Sequence, residues 1–305
     1  MSLSEDVRTE LAAIAPAREC DRLAELSALF HCAGRWHMSG GEVSLHLDLA
    51  TSAVARRAFS LLREFDVESE IRTYRRRAFE QGTRYQLHVG GSERALQVLH
   101  EAGVVDARLA PLERPPRRVI GRSCCRAAYL RGALLAAGSV SAPPSAHLEV
   151  RSATAAGAEA VAAAAAGEDA ELRIAERADH AVAYAKGIDR IAGVLAAAGA
   201  SDAALVLQER AVVGATKSRA NRLANADHAN LVRAGRAAHK QLEAVRRLER
   251  EGRFEELSRP VREVAELRLR HPSLSLREVG LKCRPPASKA TVHRRFQRLI
   301  RLVES

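Results

Sequence analysis

The residues with the plainest chemical purpose lie near the end of the chain. In the segment SKATVHRRFQRLIRLV, Ser288 is placed to cap a helix, and Val292, Phe296, Leu299 and Val303 step by four, three and four, which makes a buried stripe. The opposite face displays Lys289, His293, Arg294, Gln297, Arg298 and Arg301. Just upstream, Ser275-Leu276-Arg277-Glu278 reads as a capping box opening a short helix with Leu276, Val279 and Leu281 apolar, and Gly280 with Pro285-Pro286 enforces a turn. A short helix, a turn and a basic amphipathic helix form a helix-turn-helix pattern, whose last helix enters the major groove of double-stranded DNA. Lys289, Thr291, His293 and Arg294 fall in the first turns and are expected at base edges, because Arg and Lys donate to guanine acceptors and Thr meets a thymine methyl. Arg295, Arg298 and Arg301 lie farther along and are expected on phosphates, with Ser288 and Gln297 completing the DNA-facing set. The connection from Lys282 to Ala287 is longer than the tightest form of this motif.

Other chemistry is poorly supported. His31, His37, His46 and His88 are the nearest approach to a metal-binding cluster, but their irregular spacing is that of surface or core side chains, so no metal or cofactor is expected. The five cysteines form no CxxC pair, and adjacent Cys124 and Cys125 cannot easily bridge each other, which fits a reducing cytoplasm. The N-terminus lacks a basic-then-apolar signal and no apolar run approaches a membrane span, so neither export nor a membrane is expected, and nothing points to a small-molecule substrate.

Charge separates the chain into two parts. Net charge is +11, yet residues 215–305 hold 22 Lys and Arg against 10 Asp and Glu, while residues 1–214 hold 26 against 27. The excess is confined to the last third, the footprint of a nucleic-acid-binding module attached to a near-neutral domain. From Thr216 the texture turns to Arg-rich helix, in which Leu231, Ala234, Ala238, Leu242, Val245 and Leu248 keep helical spacing until Gly252. Its Asn-rich start, Asn221, Asn225 and Asn230, reads as a cap and hinge between domains in preference to a phosphate contact. Pro260 opens the next helix, closed before Pro272.

The near-neutral part is built around CCRAAYLRGALLAAGSVS, Cys124 to Ser141, which reads as one helix with Gly138 where a C-terminal glycine is expected. Ala128, Gly132 and Ala136 make a small-residue stripe that lets a second backbone come close. Cys20 to Gly34 repeats the pattern 104 positions earlier, with Ala24, Ala28 and Cys32 on the equivalent stripe. Around these anchors each copy runs helix, strands, helix, strands, helix. In copy one the strands are Val43 to Leu49, Ile71 to Tyr74 and Arg84 to Val89, with Gly40-Gly41 as a turn, a helix capped by Ser52 and another capped by Ser92. In copy two His147 to Arg151, Leu172 to Ala175 and Ala181 to Ala185 are strands, and Ala155 to Ala166 and Ile188 to Ala198 are helices. The fold class is therefore α+β, a duplicated unit over residues 1–214 followed by an all-α domain over 215–305.

Two α-β-β-α-β-β-α units joined through glycine-containing helices resemble a single-chain LAGLIDADG homing-endonuclease domain. That resemblance implies two acidic positions at each helix end, which in the family hold divalent cations over the scissile phosphates. Here the metal-binding positions are Ala33 and Ala137, and the earlier acidic positions are His31 and Leu135. An alanine cannot ligate magnesium, so the resemblance implies a fold without nuclease activity. The degenerate duplicated domain, SRANRLANADHAN, and SLREVG followed by SKATVHRRFQRLIRL together resemble the WhiA family of bacterial regulators over nearly the whole chain. That resemblance implies a cytoplasmic, nucleoid-associated, DNA-binding transcription regulator acting in cell division, chromosome segregation and sporulation septation. It also implies a sigma factor, RNA polymerase or a co-regulator as partner of the inert domain. Two other readings stay open: an active endonuclease, which fails on Ala33 and Ala137, and a scaffold whose basic tail anchors it to DNA without sequence preference.

Overall fold

In the computed structural model, which describes residues 2–39, 42–75 and 83–304, the chain divides into two compact units, Met1–Ala215 and Thr216–Ser305. The N-terminal unit opens with α1 (Leu3–Ala13). Copy one follows as α2 (Glu19–Ala33), β1 (Gly34–Ser39), β2 (Glu42–Leu49), α3 (Ser52–Arg63), β3 (Ser69–Arg75), β4 (Thr83–Gly90) and α4 (Glu93–Glu101). After the short α5 (Arg117–Ile120), copy two is α6 (Ser123–Ala137), β5 (Gly138–Ser141), β6 (His147–Ser152), α7 (Ala155–Ala166), β7 (Arg173–Glu176), β8 (Ala181–Lys186) and α8 (Ile188–Ala198). Each copy forms a four-stranded antiparallel sheet with the same strand order, β1-β2-β4-β3 and β5-β6-β8-β7. The expected duplication is present, and the Gly40-Gly41 turn lies outside the described residues.

Alternation sets the inner face of each sheet. Leu45, Leu47 and Leu49 are fully buried while Ser44, His46 and Asp48 are half-buried, and Leu148 and Val150 repeat this in copy two. A single apolar core runs through both copies, because α2 and α6 pack against each other more extensively than any other pair of helices. The small-residue stripe is what permits this. A Cβ on Gly132 would collide with the Glu25 carbonyl oxygen and crowd the Ala28 methyl across the helix pair. Each fully buried leucine at this seam, such as Leu26 and Leu130, contributes about 1.5–3 kcal/mol of transfer free energy.

Two local expectations are corrected. Cys124 to Ser141 is not one helix: α6 ends at Ala137 and Gly138–Ser141 is β5, paired with β6. Gly138 ends α6 as expected, and Gly34 likewise ends α2, both with extended backbone (φ −75° and −72°). They are required because a Cβ at either position would strike the carbonyl four residues back as the helix turns straight into a strand. The cap of α3 is Thr51, whose Oγ1 accepts from the Val54 amide at 3.3 Å, and not Ser52, which lies inside the helix. Ser92 caps α4 as expected, accepting from the Ala95 amide.

The chain then enters α9 (Ser201–Arg250), which runs without interruption through the boundary between the units. The Asn-rich segment is thus mid-helix, not a cap. Asn221, Asn225 and Asn230 are exposed, and Asn230 Oδ1 accepts from Arg233 Nη2 one turn later. Gly252 stops the helix in the left-handed region (φ +68°), where a side chain would be strained. The remaining elements are α10 (Arg259–Arg270), which has proline in its first turn, α11 (Leu276–Lys282) and α12 (Lys289–Glu304).

Candidate nucleic-acid interface

Two small apolar clusters hold the C-terminal helices. Val264, Val279, Cys283, Val292 and Phe296 tie α10, α11 and α12 together, while Leu299 and Ile300 of α12 pack with Val245, Leu248 and Val261. The stripe expected on α12 is therefore buried at Val292, Phe296 and Leu299, with Val303 half-buried. The capping box of α11 is complete: the Glu278 amide donates to Ser275 Oγ at 3.3 Å, and the Ser275 amide donates to Glu278 Oε2 at 2.8 Å. Hydrogen bonds from Ser275, through its hydroxyl and then its amide, hold the Glu278 carboxyl below its usual range. Between α11 and α12 the chain folds back on itself, with the Ala287 amide donating to the Gly280 carbonyl at 2.9 Å. Gly280 is needed there because a Cβ would strike the Ala287 carbonyl. Helix, turn and second helix are thus fixed by local hydrogen bonds and by one shared apolar cluster.

The expected DNA-facing residues divide into two groups. Lys289, His293, Arg294, Gln297, Arg298 and Arg301 are exposed along one side of α12, opposite the buried stripe. Ser288, although exposed, spends its hydroxyl on the cap: Oγ accepts from the Thr291 amide at 3.2 Å and lies 3.0 Å from Thr291 Oγ1. Thr291 is half-buried beside it. Arg295 is withdrawn from the phosphate-facing group, because its half-buried guanidinium turns towards α10 and pairs with Glu263 at 3.7 Å. The same carboxylate accepts from the Arg284 amide at 2.6 Å, so Glu263 meets both the turn and α12.

Sequence reasoning missed the most buried cation of this unit. Arg268 on α10 is 1% exposed, and its guanidinium donates to the carbonyls of Pro272 (3.2 Å) and Leu274 (2.6 Å) and to Gln241 Oε1 (3.0 Å). It also lies 5.3 Å from the centroid of the Phe296 ring. Burial lowers its pKa from the ordinary guanidinium value. Its place among the apolar positions of α10, one after Leu267, was the only signal in the sequence. This arginine braces the chain leaving α10 against the underside of α12.

At the other candidate site, where α2 and α6 end, a crevice of about 560 Å³ opens between the two sheets. Ala33 and Ala137 line it, as do Arg35, Arg84 and Arg151. Its two carboxylates come from elsewhere. Asp48 accepts from Tyr74 Oη at 3.0 Å and pairs with Arg35 at 3.5 Å, while Asp179 sits 2.6 Å from His180 Nδ1, whose hydrogen bond holds the Asp179 carboxyl low. Arg8, half-buried nearby, has its pKa lowered by burial and then by Arg84. Among the described residues no cluster of three carboxylate or imidazole ligands forms at these helix ends. His37, His46 and His88 do come together, stacked across three strands with ring centroids 4.3 and 4.7 Å apart, whereas His31 lies in α2 with its Nδ1 bonded to the Ser27 carbonyl. Along the sheets, Arg72 pairs with Glu70 and Arg173 with Glu171.

Comparison with known proteins agrees with this architecture part by part. Residues 19–105 match the model of the WhiA N-terminal LAGLIDADG-like domain, 126–217 that of the WhiA LAGLIDADG-like domain, and 220–303 that of the WhiA C-terminal HTH domain. Proteins named "Probable cell division protein WhiA" from Symbiobacterium thermophilum and Heliobacterium modesticaldum are each 34% identical over all of this chain, covering 98% and 97% of their own lengths. The crystal structure of full-length DUF199/WhiA from Thermatoga maritima matches with a TM-score of 0.58 at 20% identity, over 100% of this chain and 98% of that one. The N-terminal LAGLIDADG domain of DUF199/WhiA matches with a TM-score of 0.52 at 17% identity, over 64% of this chain and 89% of that one. With its duplicated LAGLIDADG-like unit, its alanines at the helix ends and its C-terminal helix-turn-helix, the chain belongs to the WhiA family.

Proposed function

We propose that this protein is a sequence-specific DNA-binding regulator of transcription acting in cell division, and that it does not cut DNA. The observation that carries this reading is the exposed basic face of α12, mounted on the buried Val292, Phe296 and Leu299 stripe, in a chain whose cation-holding positions are Ala33 and Ala137. Lys289, His293 and Arg294, at the start of the helix, read base edges, while Gln297, Arg298 and Arg301 hold the phosphate backbone. Ser288, Thr291 and Arg295 position the helix through its cap and through Glu263. The relatives' names support a role in cell division. Chromosome segregation, sporulation septation and residence on the nucleoid are the finer parts of the same proposal. So is a sigma factor, RNA polymerase or co-regulator docking on the near-neutral N-terminal unit. The test is selection of bound duplexes from a randomised pool by the full chain, followed by incubation of the winners with magnesium. One enriched motif, left intact by magnesium, is the expected result. Reproducible nicking, or retention that ignores sequence at moderate salt, overturns the proposal.

A further inference from the structure

At the opposite ends of α2 and α6 from the crevice, the fold gathers groups that the sequence keeps apart. Cys20 and Asp21 lie in the first turn of α2, and Cys124 and Cys125 in the first turn of α6. One ligand atom from each of these four residues lies within 4.8 Å of every other. Cys124 Sγ lies 3.9 Å from Cys125 Sγ, and Cys20 Sγ lies 3.5 Å from Asp21 Oδ1. A tetrahedral zinc ion with bonds of about 2.3 Å to sulfur and about 2.0 Å to oxygen sets edges of about 3.8 Å between sulfurs and about 3.5 Å between sulfur and oxygen. We propose that Cys20, Asp21, Cys124 and Cys125 form a four-coordinate zinc site that ties the two repeats together.

Several features converge on this metal. Three thiolates and a carboxylate suit a soft-to-borderline cation with no geometric preference of its own, which excludes magnesium and calcium. The Arg18 guanidinium, which interacts with the Cys124 sulfur, supplies an outer cation for a site whose four anionic ligands exceed the charge of zinc. Binding one Zn²⁺ as three thiolates and a carboxylate sends the three thiol protons to solvent. Four protein ligands leave no open position, so the role is structural. Cys20 and Cys124 occupy equivalent places in the two copies, so the ion clamps one end of the seam whose middle is held by Gly132 against Glu25.

Titration of the reduced full chain with cobalt(II), as a spectroscopic stand-in for zinc, tests the site. One equivalent should give the intense thiolate-to-cobalt charge-transfer band with tetrahedral ligand-field bands, and zinc should displace it. Cys20→Ser with Cys124→Ser should abolish the band, Cys32→Ser with Cys283→Ser should leave it, and Arg18→Ala should weaken cobalt binding about 10-fold. A second measurement needs no variant: zinc should protect Cys20, Cys124 and Cys125 of the wild-type chain from alkylation and leave Cys32 reactivity unchanged. Absence of the charge-transfer band from the folded, reduced wild-type chain overturns the proposal. So does persistence of the band in the Cys20, Cys124 double variant, or alkylation of all three thiols at an unchanged rate in zinc.

Discussion

In the N-terminal unit Arg57 and Arg131 close on the carboxylate of Glu25 inside the protein, at 2.8 Å each, with all three groups buried. In the C-terminal unit Arg294, Arg298 and Arg301 stand in solvent along α12. The same residue type is thus turned inward in one unit and outward in the other, and only the second arrangement offers counterion release to a polyanion. Within the C-terminal unit the contrast recurs on a smaller scale, since Arg268 and Arg295 are bound internally and lend no charge to the exposed face. What matters for recognition is the displayed charge, not the net charge. A domain rich in arginine can be inert if each guanidinium already has an anion or a carbonyl.

Glu25→Ala breaks this contrast most severely. It leaves two buried guanidinium groups without their anion, and denaturant unfolding should show a loss of about 3–5 kcal/mol. An equal stability for the variant would mean that Arg57 and Arg131 reach water and that the inward arrangement is an illusion. On the outward side, Arg294→Ala should cost about 1–3 kcal/mol on the preferred site and relax the choice of base there. Arg298→Ala should weaken binding to all duplexes alike and reduce the slope of log affinity against log salt by about 1. Equal, sequence-blind losses from both would remove the division between base and backbone contacts. A sharper test is Arg295→Ala, which removes a pair with Glu263 worth about 0–1 kcal/mol of stability. It should leave the salt slope unchanged, and a fall matching that of Arg298→Ala would return Arg295 to the phosphate-facing group.

The smallest effect concerns the histidines of the N-terminal unit. His31 is held below the ordinary imidazole value by burial, and His46 by burial and then by His37 and His88. Their unfolded forms accept protons near pH 6.5 while the folded forms resist. Stability from this source is therefore complete above about pH 6.5 and declines as pH falls through the lowered native values. Thermal unfolding of wild type and His46→Gln between pH 7.5 and 5 should show a smaller acid loss in the variant. Parallel curves would mean that the stacked imidazoles protonate freely in the fold.

Much of the fold was legible because it rests on short-range chemistry. The caps at Ser92 and Ser288 and the capping box at Ser275 depend on side chains within one turn of the backbone they satisfy, and α8 stops where Gly199 enters the left-handed region. The failures share the opposite cause. Gly138 to Ser141 carries no strand signal of its own, and becomes β5 because β6 pairs with it on one side. On the other side Ser4 of α1 covers it, accepting from the Val140 amide at 2.7 Å and donating to its carbonyl at 2.9 Å. The Asn-rich segment has the composition of a cap, yet α9 continues through it. At the recognition helix, periodicity assigned the buried stripe and the exposed face, but Arg295 lay at the margin of that face and only the position of Glu263 decided its direction.

The duplication, the two alanines where cations would be held and the basic amphipathic last helix were all determined by the sequence itself. Each depends on residue identity and on periods of two or about 3.6, which a chain carries before it folds. The tertiary structure alone decided which charges are spent and which are shown, by placing Glu25 against Arg131 across 106 positions and Arg268 under Phe296. It also brought Cys20 to Cys124 and Cys125. Contacts between residues far apart in the chain leave no spacing to read, because they are fixed by how closely two helix backbones can approach, and here that distance was set by a glycine.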